Sequence, residues 1–261
     1  MNTRNKTTPI PVSVFIVTLN EQRYIAQVLE SIKSFAEIIV VDSGSSDETV
    51  SIAEHFGAKV YHQDWLGFAK QKQFALEKCS YDWVLNLDAD EVLTDACIDE
   101  IIKQIELDKY SAVRFQRDDI FIYKKPSLLA RKDNNVRFYK RNNAKFNVNQ
   151  QVHESAKIEG PELKSTASFV HHGYNEVATL VLKTNDYSTL KAQDKFASNK
   201  RSSLVKLLLV FPVTFIKEFF IRRKIFSGRR GFILSMINAQ YAFLKEAKLF
   251  ELHEKAKHQQ N

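Results

Sequence analysis

The chain has only two cysteines, Cys79 and Cys97, in 261 residues. Two thiols build neither a disulfide framework nor a metal-ligand pattern, and they suit a reducing compartment. Long apolar runs are also missing. The stretch Leu207 to Ile216 is ten residues long and contains Pro212, whereas a spanning helix needs roughly 20 apolar residues. The first eleven residues are polar, and the apolar run 12–19 lacks a small-residue cleavage site, so no signal peptide is expected. No internal repeat or low-complexity tract is present. No glycine-rich phosphate loop follows the first apolar run, where Thr18-Leu19-Asn20-Glu21 stands instead. That argues against a nucleotidyltransferase.

Positive charge is present but confined. The chain carries +7 overall. Between Lys200 and Arg230 nine Lys/Arg face a single acid, Glu218, a local excess of +8 that exceeds the total. Charge gathered in one segment is a local device, not a general affinity for nucleic acid, and no nucleic-acid partner is expected.

Hydrophobic patterning organises the first half. Residues 12–19, 37–41, 58–62 and 83–87 read as strands, the first two and the last as buried ones, and helices are expected over 24–35, 47–56, 68–78 and 95–107. Asp47 suits the N-cap of the second helix. Alternating strands and helices predict an α/β fold with a mainly parallel sheet flanked by helices. Ligands of such sheets bind beyond the carboxyl ends of the strands. The polar clusters Thr18/Asn20/Glu21, Asp42–Asp47 and Asp88–Glu91 all fall at such ends, so they should converge. Later, 112–116 and 119–123 read as two strands and 135–141 as a basic one. The chain is helical after His171-His172-Gly173-Tyr174. Four parts are expected: a flexible N-terminus, 1–11; a ligand-binding half, 12–110; a second half, 111–199; and a basic helical tail, 200–261.

The sharpest feature is Asn86-Leu87-Asp88-Ala89-Asp90-Glu91, three carboxylates in four residues at the end of a buried strand. Ionised carboxylates avoid low-dielectric surroundings unless neutralised, and a divalent cation carrying a diphosphate is a natural partner. A solvated acidic turn is the alternative. Three segments then occur in order: Val12-Ser13-Val14-Phe15-Ile16-Val17-Thr18-Leu19-Asn20-Glu21, Val40-Val41-Asp42-Ser43-Gly44-Ser45-Ser46-Asp47-Glu48-Thr49, and Asp82-Trp83-Val84-Leu85 leading into the acidic cluster. Together they resemble the family 2 glycosyltransferases. The resemblance implies a GT-A (Rossmann-like) fold, a nucleotide-sugar donor and inversion at the anomeric carbon. Phe68-Ala69-Lys70-Gln71-Lys72, Val136 to Arg141, Val152-His153-Glu154 and His171 to Tyr174 resemble the subgroup that adds glucose to the heptose of the lipopolysaccharide inner core.

On that resemblance Thr18, Glu21 and Asp42 anchor the base and ribose of the donor, though Asp42 also suits a simple turn. Asp90 is the expected ligand of Mg²⁺ or Mn²⁺, with Asp88 on ribose or metal, and Lys72 adds charge beside the diphosphate or is simply solvated. The acceptor hydroxyl needs a general base. Glu154 is the candidate, with Asp118 or Asp119 as the alternative. His153 could position the acceptor or reach the diphosphate. Arg137, Lys140 and Arg141 lie on a strand that either meets acceptor phosphates or is a basic edge strand. His171 or His172 is expected on metal or diphosphate. Zinc is not expected, because no other spaced Cys or His ligands accompany them.

In the tail, Lys206, Lys217 and Lys224 would fall within about 20° of one another on an ideal helix, beside an apolar face rich in phenylalanine. Pro212 is a candidate kink. An apolar face with a basic edge predicts either a helix lying on an anionic membrane surface or an ordinary core helix. The combined expectation is an inverting, metal-dependent hexosyltransferase, peripheral at the cytoplasmic face of the bacterial inner membrane, acting on a lipid-linked saccharide. The alternatives are a capsule, exopolysaccharide or protein acceptor, or a nucleotide-sugar-binding protein without turnover.

Overall fold

The computed structural model describes residues 8–147 and 155–259, apart from the Tyr174 side chain. The elements are β1 (Ile10–Thr18), α1 (Ile25–Ser31), β2 (Phe35–Asp42), α2 (Thr49–His55), β3 (Lys59–His62), α3 (Phe68–Glu77), β4 (Trp83–Asp88), β5 (Glu91–Val92), α4 (Asp95–Leu107), β6 (Ala112–Phe121), β7 (Asp133–Lys140), β8 (Ala144–Lys145), β9 (Lys157–Ile158), β10 (Glu162–Tyr174), α5 (Val177–Ala197), α6 (Leu204–Ile216) and α7 (Gly228–His258). Eight strands form one sheet in the order β3-β2-β1-β4-β7-β6-β10-β5. The first four of that order are parallel, and β7 joins β4 and β6 antiparallel. This is the mixed, mainly parallel α/β sheet expected.

Strand β1 is apolar on both sides because both faces are covered. Val12, Val14 and Ile16 join a core with Ile25, Val28 and Leu29 of α1 and Ile98 and Ile101 of α4. Phe15, on the opposite face, packs with Ala75 and Leu76 of α3. The N-cap of α2 is Glu48 and not Asp47, which stands one residue earlier and accepts the Thr49 N–H at 3.0 Å.

Two further sequence expectations change. Residues 112–121 form one strand, not two, and Ile122 and Tyr123 lie in the turn after it. The strand runs through Arg117 and Asp118, where Asp118 is buried and accepts a hydrogen bond from the Ser168 hydroxyl at 2.9 Å. Strand β7 is an interior strand, paired on both sides, so the basic-edge reading fails.

A buried carboxylate ties down the amino-terminal side of the sheet. Glu37 accepts from the Ser13 hydroxyl (2.5 Å), the Ser80 N–H (2.8 Å), the Ser80 hydroxyl (2.9 Å) and Lys59 (2.8 Å). Burial pushes its pKa up, but Lys59 and the hydrogen bonds outweigh that and hold it at about 2. A depressed carboxylate stabilises the fold above its unfolded pKa and loses that contribution as pH falls through the folded value. Glu37→Gln should therefore lower stability at pH 7 by up to about 3 kcal/mol. The deficit against wild type should roughly halve near pH ~3 and vanish below about pH 2. Urea unfolding across that range checks it, and a pH-independent deficit would refute it.

By packing, the described chain divides into two units. One holds residues 8–118, 133–147 and 155–171, the other 119–132 and 172–259. In the second unit α7 packs against both α5 and α6. The expected tail helix is interrupted. After α6 come a π-helical turn (Lys217–Ile221) and a 3-10 turn (Lys224–Ser227), with Arg223 between them at φ 59°. Lys224 therefore leaves the edge it was expected to share with Lys206 and Lys217, and pairs with Glu218 at 2.6 Å. α7 starts close against this turn. A Cβ on Gly231 would sit 1.8 Å from the Lys224 carbonyl oxygen, so only glycine fits there. Phe215 and Phe219 stack on each other and meet Phe232 edge-on, whereas Phe220 and Phe226 remain exposed. No helix among the described residues is long and apolar enough to cross a membrane.

Candidate active site

Parallel register brings three of the expected residues into one row. Thr18 is opposite Asp42, and Val17 is opposite Asp88, at the carboxyl ends of adjacent strands. The loops beyond them are laced together. Asn20, at φ 55°, accepts the Ser46 N–H at 2.8 Å, its own N–H reaches the Ser45 hydroxyl, and the Glu21 N–H reaches the Thr49 hydroxyl, both at 2.8 Å. Asp42 shapes its own turn, accepting the Gly44 and Ser45 amides at 2.8 Å each. Thr18 is buried and its hydroxyl has no hydrogen-bond partner among the described residues.

The acidic cluster is neutralised in part by the protein itself. Lys72, buried on α3, contacts Asp88 Oδ1 at 3.0 Å. Arg137, buried on β7, donates to Asp88 Oδ2 at 2.8 Å and to Asn86 at 3.2 Å, and pairs with Glu91. Glu91 is completely buried and also accepts the Asp88 N–H at 3.1 Å. Burial raises the Asp88 pKa, yet the Arg137 and Lys72 charges prevail and hold it far below the usual carboxylate range. At Glu91 burial prevails over the Arg137 charge, with Asp88 adding repulsion, so its pKa is raised. Asp90 faces the buried His171, with 3.3 Å between Oδ2 and Nε2. His171 is opposite Glu91 in the β10–β5 ladder, which explains how a residue 80 positions later reaches the cluster.

The donor set suits a cation that arrives with its own phosphates. Among the described residues no group of three or more His, Cys, Asp or Glu forms a ready cage. Mg²⁺ commonly takes one or two carboxylates and completes its sphere with substrate phosphate and water. Asp90 supplies one such carboxylate, with the His171 imidazole beside it.

Not every expected residue is here. Arg137 faces the acidic motif. Arg141 lies at the other end of β7, where its N–H bonds Asp82 and its guanidinium bonds the Cys79 carbonyl at 2.7 Å, so it is not brought to this cluster. Lys140 pairs with Asp108 at 2.8 Å. His153 and Glu154 lie outside the described residues. Two contributors were overlooked. Asn86 and Glu91 stand inside the quoted motif, and a glutamate directly after Asp88-Ala89-Asp90 was the available signal.

The sequence model described as Glycosyl transferase family 2 matches residues 13–158, more than half of the chain. The chain belongs to glycosyltransferase family 2. It is 35% identical over 253 residues to the lipopolysaccharide core biosynthesis glycosyltransferase LpsC of Rhizobium meliloti, covering 94% of this chain and 93% of LpsC. It is 37% identical over 257 residues to an uncharacterized glycosyltransferase of Rickettsia felis, covering 92% and 89%. Among solved structures it is similar to Staphylococcus aureus TarS, with a TM-score of 0.51 at 16% identity over 92% of this chain and 54% of that one. That likeness is one of fold. This family 2 enzyme therefore has the GT-A-like architecture that its sheet order describes.

Proposed function

We propose that this glycosyltransferase moves a hexose, glucose from UDP-glucose, onto the heptose of a lipopolysaccharide inner core, with inversion. The observation that carries the donor half is the row Thr18, Asp42 and Asp88 at adjacent strand ends with Asp90 beside it. The lipopolysaccharide core role in the name of the R. meliloti relative supports the acceptor. In this reading residues 12–110 hold the donor, 111–199 the acceptor, and 200–261 meet the membrane.

Thr18, Glu21 and Asp42 bind the nucleoside. Asp88 keeps its place between Lys72 and Arg137 and, with carboxylate lone pairs to spare, accepts from the ribose hydroxyls. Asp90 and His171 would hold Mg²⁺ or Mn²⁺, which when bound supplies Lewis-acid charge to the departing diphosphate. Glu154 takes the proton of the acceptor hydroxyl as the new bond forms, with Asp118 or Asp119 the alternative base. The tail lies on an anionic bilayer at the cytoplasmic face, where a lipid-linked acceptor is held. Every residue of α6 is at least partly exposed, including Leu204, Val205, Leu208, Leu209 and Val213.

The test is release of UDP from a panel of UDP-sugars, with heptose-containing truncated lipopolysaccharide as acceptor. Release should depend on acceptor, on a metal and on one sugar. Glu154→Gln should retain UDP-glucose binding and lose about 10²–10⁴-fold in transfer. An unchanged rate would move the base to Asp118 or Asp119.

A further inference from the structure

We infer that the loop between β6 and β7, residues 122–132, is a second membrane-insertion element that carries Leu128 and Leu129 into an anionic bilayer beside the tail. The inference rests on the membrane reading of the tail given above and adds a part of the chain remote from it in sequence.

Four observations support it. The Ala130 N–H bonds the Ser127 carbonyl at 2.9 Å, which makes Ser127-Leu128-Leu129-Ala130 a tight turn with two leucines at its tip. Leucine is a poor turn residue, where Gly, Asn, Asp or Pro would serve. These two are 91% and 58% exposed, and Tyr123 is 69% exposed. A tight turn whose tip contradicts local turn chemistry points to function more than to folding.

The loop is also held in a strained form. Ile122 and Tyr123 both have left-handed backbones, φ 46° and 61°, which a β-branched isoleucine seldom adopts. The strain is supported from α7, where the Arg230 guanidinium donates to the Ile122 carbonyl at 3.2 Å, and Ile122 packs beside Phe121, Leu180 and Ile237.

The loop and the tail form one surface. The Arg131 N–H bonds the Arg222 carbonyl at 2.9 Å, and the Ser127 N–H bonds the Ser227 hydroxyl at 3.0 Å. The next residues on each side, Leu128 and Phe226, both point out, Phe226 being 56% exposed. The apolar tip thus continues the exposed Phe220, Ile221, Ile225 and Phe226 of the tail.

Finally, the charge selects the occupant. Residues 122–132 contain Lys124, Lys125, Arg131 and Lys132 and no acid. The tail side adds the exposed Arg223 and Arg229. Apolar tips within a basic collar match acyl chains beneath anionic headgroups. A second copy of this chain would bring the same positive collar against itself.

The experiment uses the full chain and vesicles of phosphatidylcholine with and without phosphatidylglycerol. Leu128→Ser/Leu129→Ser should lower binding to the anionic vesicles at least tenfold. A polarity-sensitive dye on Leu128→Cys reports insertion directly, because Cys79 and Cys97 are buried and shielded from labelling. Its emission should shift to the blue on anionic vesicles. If the dye does not respond while Leu208→Ser/Leu209→Ser abolishes binding, the loop inference is overturned and the tail reading stands. If the wild-type chain does not bind anionic vesicles, both fall. Self-association that the loop variant abolishes, without vesicle binding, would overturn it in favour of a second copy.

Discussion

Arg137→Ala should destabilise the protein by about 3–5 kcal/mol, the range for removing one partner of a buried ion pair. Arg137 is buried and serves two carboxylates at once, Asp88 and the fully enclosed Glu91. Without it Glu91 has a charge that water cannot reach, next to a second negative group. The pH dependence gives the diagnosis. The Glu91 pKa is already raised by burial against the pull of Arg137, and loss of the guanidinium must raise it further. A carboxyl with a raised folded pKa favours folding at low pH, and that contribution is lost as pH rises through the folded value. The variant should therefore be closer to wild type at about pH 5 than at about pH 8. Arg137→Lys should recover part of the loss, since it keeps the charge and lacks the planar fork that reaches two acids. Urea unfolding at the two pH values decides. A loss below about 1 kcal/mol, or one that grows on acidification, would show that the cluster is not held as described.

Asp90→Asn should lower turnover by about 10³-fold, the upper scale for losing one charge-stabilising group at a reacting centre. The substitution keeps the size of the side chain, and Arg137, Lys72, Asp88 and Glu91 keep one another. The melting temperature should therefore stay near wild type. Binding of Mn²⁺ in the presence of UDP, followed by paramagnetic resonance, should weaken in step with turnover. Full activity with intact metal binding would remove Asp90 from the proposed role and leave the donor row untouched. The two variants separate two uses of one acidic motif. The first damages the fold, and the second damages the chemistry.

Much of this was legible because it is local. Strands β1, β2 and β4 announce themselves by apolar runs, and each ends in a polar cluster whose position follows from parallel pairing alone. What could not be read depends on contacts across long separations. Arg137 is visible as a basic residue, but nothing nearby tells that its partners are 46 and 49 positions earlier. Its neighbours in sequence fit equally a strand that meets acceptor phosphates and a basic edge strand. His171 was flagged from a double histidine, and its approach to Asp90 needs the β10–β5 pairing to be known. The continuity of β6 is of the same kind, since Asp118 inside it is satisfied by Ser168 on another strand. Lys224 failed for a local reason, since helical spacing assumes an unbroken helix and Arg223 turns left-handed.

The wiring of the acidic motif also constrains the order in which the protein can be made. All the residues that pair the four parallel strands have been synthesised by Asp88. Yet Glu91 waits 46 residues for Arg137, and the outer side of β4 waits for the same strand. At ~5–20 residues per second that delay is roughly 2–10 s on the ribosome. Throughout it the emerging sheet has an apolar interior and an acidic end without its guanidinium. Until β7 has been made, β4 lacks its outer neighbour and Glu91 its guanidinium. The residue that steadies the finished site is thus also the one whose arrival permits the sheet to shut.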